Sequence, residues 1–439
     1  MRKLVNVALR RETAIIRVLF FLAPFITLIA PKTTVPVLIV LFIGCTGLAL
    51  AHGARLKSLF RVDLGLALFA IATAYLFVNA SWSLDPSRAL GKAAWFGLVA
   101  AMSFGACRAL ASWPKPQLGT AVTAFLVGLV AVVVLVLIET LTDRFLTLSL
   151  YNLLPVTRPE SIKGLMIKKG EIVRIAAFGL NHNVAVMVLA LWPAMLCLAT
   201  RLRGPTRWIG AAALILATAT AVFFSEHDSS KAGLVLSIVV FATAFSWPIW
   251  TRRALWAGWC LAFLLVVPLS TMAYKAELHQ SDWLDYSAKA RVVLWAYTAE
   301  QIPAAPILGI GAASTRQMNL DPQVRLKAIE EKQDGEVFGW RAGAHAHNAF
   351  LQTWYELGAI GVILFMAAGS VVIGSLGRLP RPTQSYILAH VAAFLTILAF
   401  GWGMWQSWLM ALAGLAALYA ALAANFYRAQ HGDAVSAGP

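Results

Sequence analysis

The sequence predicts an all-α integral membrane protein of about twelve transmembrane helices, with a large helical loop on its outer face between the ninth and tenth. Three observations lead there. The 439 residues are 60% hydrophobic and only 13% charged, against about 25% charged in soluble domains, and the mean hydropathy is +0.74. Apolar stretches long enough to cross a bilayer recur along the chain. The basic residues are distributed by side rather than clustered. A disordered chain, a secreted disulfide scaffold and an ordinary cytosolic enzyme are all excluded by this composition.

A helix needs about 20 mostly apolar residues to span about 30 Å of hydrocarbon. Such stretches fall near residues 14–31, 34–52, 63–81, 90–110, 117–140, 181–200, 207–224, 231–250, 254–272, 348–374, 384–401 and 404–425. The basic start (Arg2, Lys3, Arg10, Arg11) is followed by no small-residue cleavage site, so the first span is expected to be retained. With the N-terminus placed in the cytoplasm, one face takes 18 basic and 3 acidic residues, and the other 18 and 17. The net charge of +16 is thus a statement about topology. It gives no reason to expect a nucleic-acid partner.

The expected division is residues 1–272 for spans one to nine, 273–347 for an outer loop capping the site, 348–425 for the last three spans, and 426–439 for a cytoplasmic tail. A shorter outer loop covers about 141–180. The larger loop holds two candidate helices, one over roughly 285–301 and one starting at Asp321-Pro322, an N-cap followed by proline. Cys45, Cys107, Cys197 and Cys260 all fall within spans, so they read as core residues rather than a disulfide framework. The end of the chain, HGDAVSAGP, reads as a disordered tail.

The polar residues gather on the outer side. There is no GxxxxGK[ST] phosphate loop and no dinucleotide fingerprint after a strand. No ATP is available outside, so a reaction there draws its free energy from the substrate. A lipid-linked diphosphate supplies it through a good leaving group. The most specific stretch is Ala344 to Gly361, AHAHNAFLQTWYELGAIG, which joins the large loop to the tenth span. His347 and Asn348 open that helix. Glu356 lies nine positions on, and Gly358 and Gly361 are expected to admit a neighbouring helix. A neutral imidazole there can accept a hydroxyl proton, kept neutral by the helix N-terminus. Two other readings stand beside this one: His347 caps the span at the interface, or His345 and His347 share a metal ion. Asn181, His182 and Asn183 open the sixth span and either line the site or satisfy backbone groups. Trp354 and Tyr355 read as sugar-stacking rings or, preferably, as part of an interfacial aromatic belt.

The run His347-Asn348-x-x-Leu351…Glu356-x-Gly358, after a long outer loop, resembles the O-antigen ligase and polymerase superfamily. Trp82-Ser83-Leu84-Asp85-Pro86 resembles its W-S-x-D-P signature. Arg291 to Trp295 with Pro306, Gly309 and Gly311 resembles its R-x3-W…P-x2-G-x-G block. The resemblance implies a metal-independent, cofactor-free and sugar-inverting transfer. O-antigen would pass from undecaprenyl diphosphate to a hydroxyl of lipid A–core, at the periplasmic side of a bacterial inner membrane. It implies His347 as base and Arg291 as the first cation for the leaving diphosphate. Lys231, in Ser229-Ser230-Lys231-Ala232-Gly233 where the family often has arginine, would be a point charge rather than a planar fork. Arg174, Arg341, His345, Asn348 and Glu356 complete the candidate substrate-binding set. The alternatives are an O-antigen polymerase using the same donor and, from a different class, a transporter, for which Glu356 is the one intramembrane acid. Outer loops of about 40 and 75 residues favour the ligase over the polymerase.

Overall fold

A computed structural model describes residues 2–154, 164–168, 170–320, 339–340 and 343–435. Twelve helices within it are long and apolar enough to cross a membrane: Leu9–Ile29, Pro31–Ala51, Leu64–Trp82, Pro86–Ala111, Lys115–Leu141, Phe178–Arg201, Pro205–Phe223, Asp228–Ser246, Pro248–Lys275, Ala349–Arg378, Arg381–Phe400 and Ser407–Gly432. The all-α, twelve-span architecture is as the sequence predicts. Helix starts follow local chemistry. Asp63 accepts from the Leu66 amide at 2.9 Å, and Asp85 from the Arg88 amide at 3.0 Å. Asn348 accepts from the Phe350 and Leu351 amides at 3.0 and 3.1 Å. Each satisfies donors that a helix start otherwise leaves orphaned.

The sixth span is the hub. From Val184 to Cys197 it is buried on every face, as expected of a helix apolar all round. The first span packs along the fifth, the eighth along the eleventh, the ninth along the tenth, and the twelfth against the fourth and sixth. The four cysteines are free.

Three details differ from the sequence prediction. The first outer loop is not bare: it holds a helix at Phe145–Leu153 and an antiparallel hairpin, Leu165–Lys168 with Glu171–Ile175. The last helix runs on to Val435, so the HGDAV part of the tail is helical. Third, Gly358 takes φ +61° inside the tenth helix, which breaks there. In the large loop the helix Tyr286–Gln301 is present. The helix predicted from Asp321 lies outside the described residues.

Candidate active site at the break in the tenth span

The break at Gly358 organises the three blocks singled out in the sequence. A Cβ at this position would overlap the Ile307 carbonyl, and only glycine adopts such a φ freely. The loop Pro306–Gly311 enters the gap and pairs with it along the backbone. The Ile310 and Gly311 amides donate to the Tyr355 and Glu356 carbonyls, both at 3.0 Å, and the Ala359 amide donates to the Pro306 carbonyl at 2.9 Å. Backbone groups freed by the break are thereby satisfied within the protein, as membrane depth requires. The W-S-x-D-P turn closes the other side. Ser83 donates to the Ala312 carbonyl at 2.7 Å, and Asp85 accepts from Gln317 at 3.1 Å. Asn79 accepts from the Ala312 amide at 2.6 Å and donates to the Leu308 carbonyl at 3.0 Å.

Glu356 is the knot of this assembly. It is fully buried. Its oxygens accept from the Ala313 amide at 2.8 Å, the Thr315 amide at 3.1 Å, the Thr315 hydroxyl at 2.5 Å and Gln352 at 3.2 Å, as well as from the Trp405 indole. A carboxylate committed to five donors of its own chain has no face left for a glycan. Glu356 thereby ties the Ala313–Thr315 turn and Trp405 to the tenth span. Asn348 is similarly engaged, with its side-chain oxygen capping the helix.

His347 sits just outside the span, with φ +52°. Left-handed backbone at a non-glycine residue costs about 1–3 kcal/mol and persists where surroundings enforce it. Its Nδ1 lies 2.8 Å from the Gly401 carbonyl oxygen. A carbonyl only accepts, so Nδ1 carries the proton and Nε2 presents the lone pair. Burial, helped by the Arg291 charge and opposed by the Gly401 bond, lowers the His347 pKa to about 4. The imidazole is thus neutral at pH 7, chiefly by burial rather than by the helix terminus.

His345 packs on His347, with ring centroids 4.0 Å apart, and its Nε2 is 3.3 Å from Gln406. Its own pKa is lowered to about 3 by burial and by its two charged or titratable neighbours, His347 and Arg291. Arg291, on the helix Tyr286–Gln301, is close enough to depress His227 as well. Burial holds Arg291 below the usual guanidinium range, with Asp228 and Asp285 opposing, but a guanidinium stays charged. Among the described residues Arg291 forms no ion pair. Lys231 does pair with Asp228, at 3.0 Å.

His347, His345, Arg291 and Lys231 thus converge on one end of the bundle. Arg174 is exposed on the hairpin, and no contact joins it to the histidines among the described residues. Arg341 lies outside the described residues. Trp354 and Tyr355 face inward: the Trp354 indole donates to the Phe263 carbonyl at 2.7 Å and Tyr355 is buried beside Phe350, so neither belongs to an interfacial belt or a sugar platform. No group of three or more metal-ligating side chains occurs among the described residues.

The structure adds residues that sequence reasoning passes over. Trp402 stacks between His182 and His227, at 4.6 and 4.4 Å. His227 also lies 2.6 Å from the Ser230 hydroxyl through Nδ1, and burial takes its pKa to about 3. The turn Gly401–Gln406 supplies the carbonyl for His347, the ring for His182 and His227, and the amide for His345. A Gly-Trp-Gly-Met-Trp-Gln run between two short-linked spans is the signal available in the sequence.

Residues 211–366 match a family model described as O-antigen ligase. The family resemblance holds. The matched region contains Lys231, Arg291, His345, His347, Asn348 and Glu356, and excludes Arg174. Curated relatives align over a similar length. A protein of Rickettsia felis named as a polysaccharide ligase is 28% identical over 126 residues, 28% of this chain and 29% of that one. A Rickettsia conorii protein named in the same way is 29% identical over 126 residues, 28% of each chain. The exopolysaccharide production protein ExoQ of Rhizobium meliloti is 31% identical over 120 residues, 26% of each chain. The alignments span less than a third of these relatives' lengths.

Proposed function

We propose that this protein is an O-antigen ligase that moves a polysaccharide from undecaprenyl diphosphate to a sugar hydroxyl of lipid A–core. The observation that carries the reading is the nearness of Arg291, which forms no ion pair among the described residues, to a neutral His347 whose Nδ1 is held by Gly401. In the reaction the acceptor hydroxyl oxygen attacks the anomeric carbon and forms the new glycosidic bond. The bond from that carbon to the diphosphate oxygen breaks, and its electron pair leaves with the diphosphate. The hydroxyl proton passes to Nε2 of His347. Arg291, helped by Lys231, meets the growing negative charge on the leaving group. A bound diphosphate also offsets the Arg291 charge at His347, so the imidazole becomes a stronger base when the donor is present.

An apolar groove supports a lipid-linked donor. It has a volume of about 950 Å³ and lies between the eighth and ninth spans, floored by the eleventh. Ala232 and Phe400 line its upper end, next to Lys231 and Gly401, and Trp247 and Trp250 line the lower end. A prenyl chain in this groove would bring its diphosphate to the cations. The site would then face the periplasm, with both chain ends in the cytoplasm of an inner-membrane protein, as the charge bias indicates.

Purified protein given lipid-linked donor and core acceptor is expected to transfer glycan. No transfer, alongside an active control ligase, would refute the reading. The resemblance to an exopolysaccharide production protein favours a second reading, a polymerase whose acceptor is another lipid-linked chain. A deletion strain separates the two: a lost ligase leaves polymerised chains on the carrier lipid, and a lost polymerase leaves single repeats.

A further inference from the structure

We infer a second lipid site, for one anionic phospholipid, at the membrane face opposite the histidine cluster. A groove of about 900 Å³ runs between the first and fifth spans and is lined by Phe21, Leu22 and Val127 on its apolar walls. Its mouth holds Arg17, Lys115 and Arg201. Arg201 ends the helix that His182 begins, Asn181–Arg201, so about 30 Å separates this mouth from the histidines.

Three cations from three helices converge here, and none forms an ion pair among the described residues. Glu12, on the same helix as Arg17, is engaged elsewhere. Its Oε1 lies 2.8 Å from His52 Nε2 and accepts from Gln117 at 3.1 Å. Among the described residues the groove lining contains no carboxylate. Deeper in the bilayer the two helices touch through backbone at Gly128, where a Cβ would overlap the Phe21 carbonyl. Nearer the mouth, Gly119, Thr120, Thr123 and Ala124 are too small to close the gap. The result is a wedge with apolar walls and a cationic rim, which fits acyl chains below a phosphodiester headgroup. Basic pockets between spans commonly hold anionic lipids in this way. A zwitterionic lipid carries its own cation and would be repelled at that rim.

Native mass spectrometry of the full-length protein, purified in detergent, tests this with phosphatidylglycerol, phosphatidylcholine and glycerol 3-phosphate as probes. Wild type is expected to retain one phosphatidylglycerol at least tenfold better than either other probe. Arg17→Ala/Lys115→Ala/Arg201→Ala is expected to lose that preference. Thr123→Phe, which fills the wedge and keeps every cation, is expected to lose retention by a similar factor, and decides the question alone if the triple variant does not fold. Equal retention of the two lipids would overturn the proposal. Binding of glycerol 3-phosphate as tightly as the lipid would also overturn it, as would unchanged retention by Thr123→Phe.

Discussion

At the scale of single residues, the chemistry depends on where one proton sits. The His347 Nδ1–H donates to the Gly401 carbonyl, and on the proposed reading Nε2 takes the acceptor's proton. His347→Ala is expected to lower kcat by about 10²–10⁴, the usual contribution of a positioned base, with unchanged thermal unfolding; turnover assays with a melting curve check both. His347→Gln should behave alike, because an amide nitrogen cannot act as the base. The pH dependence has a definite sign. Folded His227, His345 and His347 sit at about 3, 3 and 4, and unfolded histidine titrates near about 6.5. Between those values the unfolded chain binds more protons, so stability rises with pH. Their contribution is complete above about 6.5 and is lost as pH falls toward 4 and then 3. Unfolding midpoints measured from pH 8 to 4 should therefore drop below about pH 6.5. In activity, the acid limb of kcat should lie at higher pH than that of kcat/KM, since bound diphosphate raises the base.

At the scale of elements, the broken tenth helix joins pieces distant in sequence. Gly358→Ala is expected to destabilise by more than the about 1 kcal/mol of an ordinary helix position, because backbone conformation and the Ile307 contact both oppose a side chain. Glu356→Gln strands buried donors at about 1–3 kcal/mol each. It should lower the melting temperature while leaving donor affinity in the surviving folded protein near wild type, as measured by lipid titration. Much of this level could be read in advance. Apolar run lengths give the spans, and Asn348 before Ala349 gives the helix start. The same rules hide the break, since Gly358 within an apolar run looks like a packing glycine. They also make Glu356 look available, because its partners Ala313, Thr315 and Trp405 are supplied by folding rather than by neighbours in sequence. Trp402 and His227 escape notice for the same reason: each is unremarkable alone and meaningful only stacked.

At the scale of the whole molecule, the histidines and Arg291 lie at one end of the bundle, and the groove proposed for the donor lies between the eighth and ninth spans. A cysteine placed in the turn Leu202–Gly204, between the sixth and seventh spans, should label only from the cytoplasmic face, and one at Ser281 only from the opposite side. Reversal of that pattern would remove the periplasmic placement and with it the argument that the donor must supply its own energy. On the proposed reading the cation and the base make separable contributions: Arg291→Ala should weaken both donor binding and turnover, whereas His347→Ala should spare binding. The most direct measurement is therefore paired on one preparation: affinity for undecaprenyl diphosphate-linked glycan and single-turnover transfer, in wild type and His347→Ala. Donor affinity within about twofold, with transfer reduced by at least about 10², is the predicted result. A His347→Ala variant that transfers glycan at the wild-type rate would contradict it.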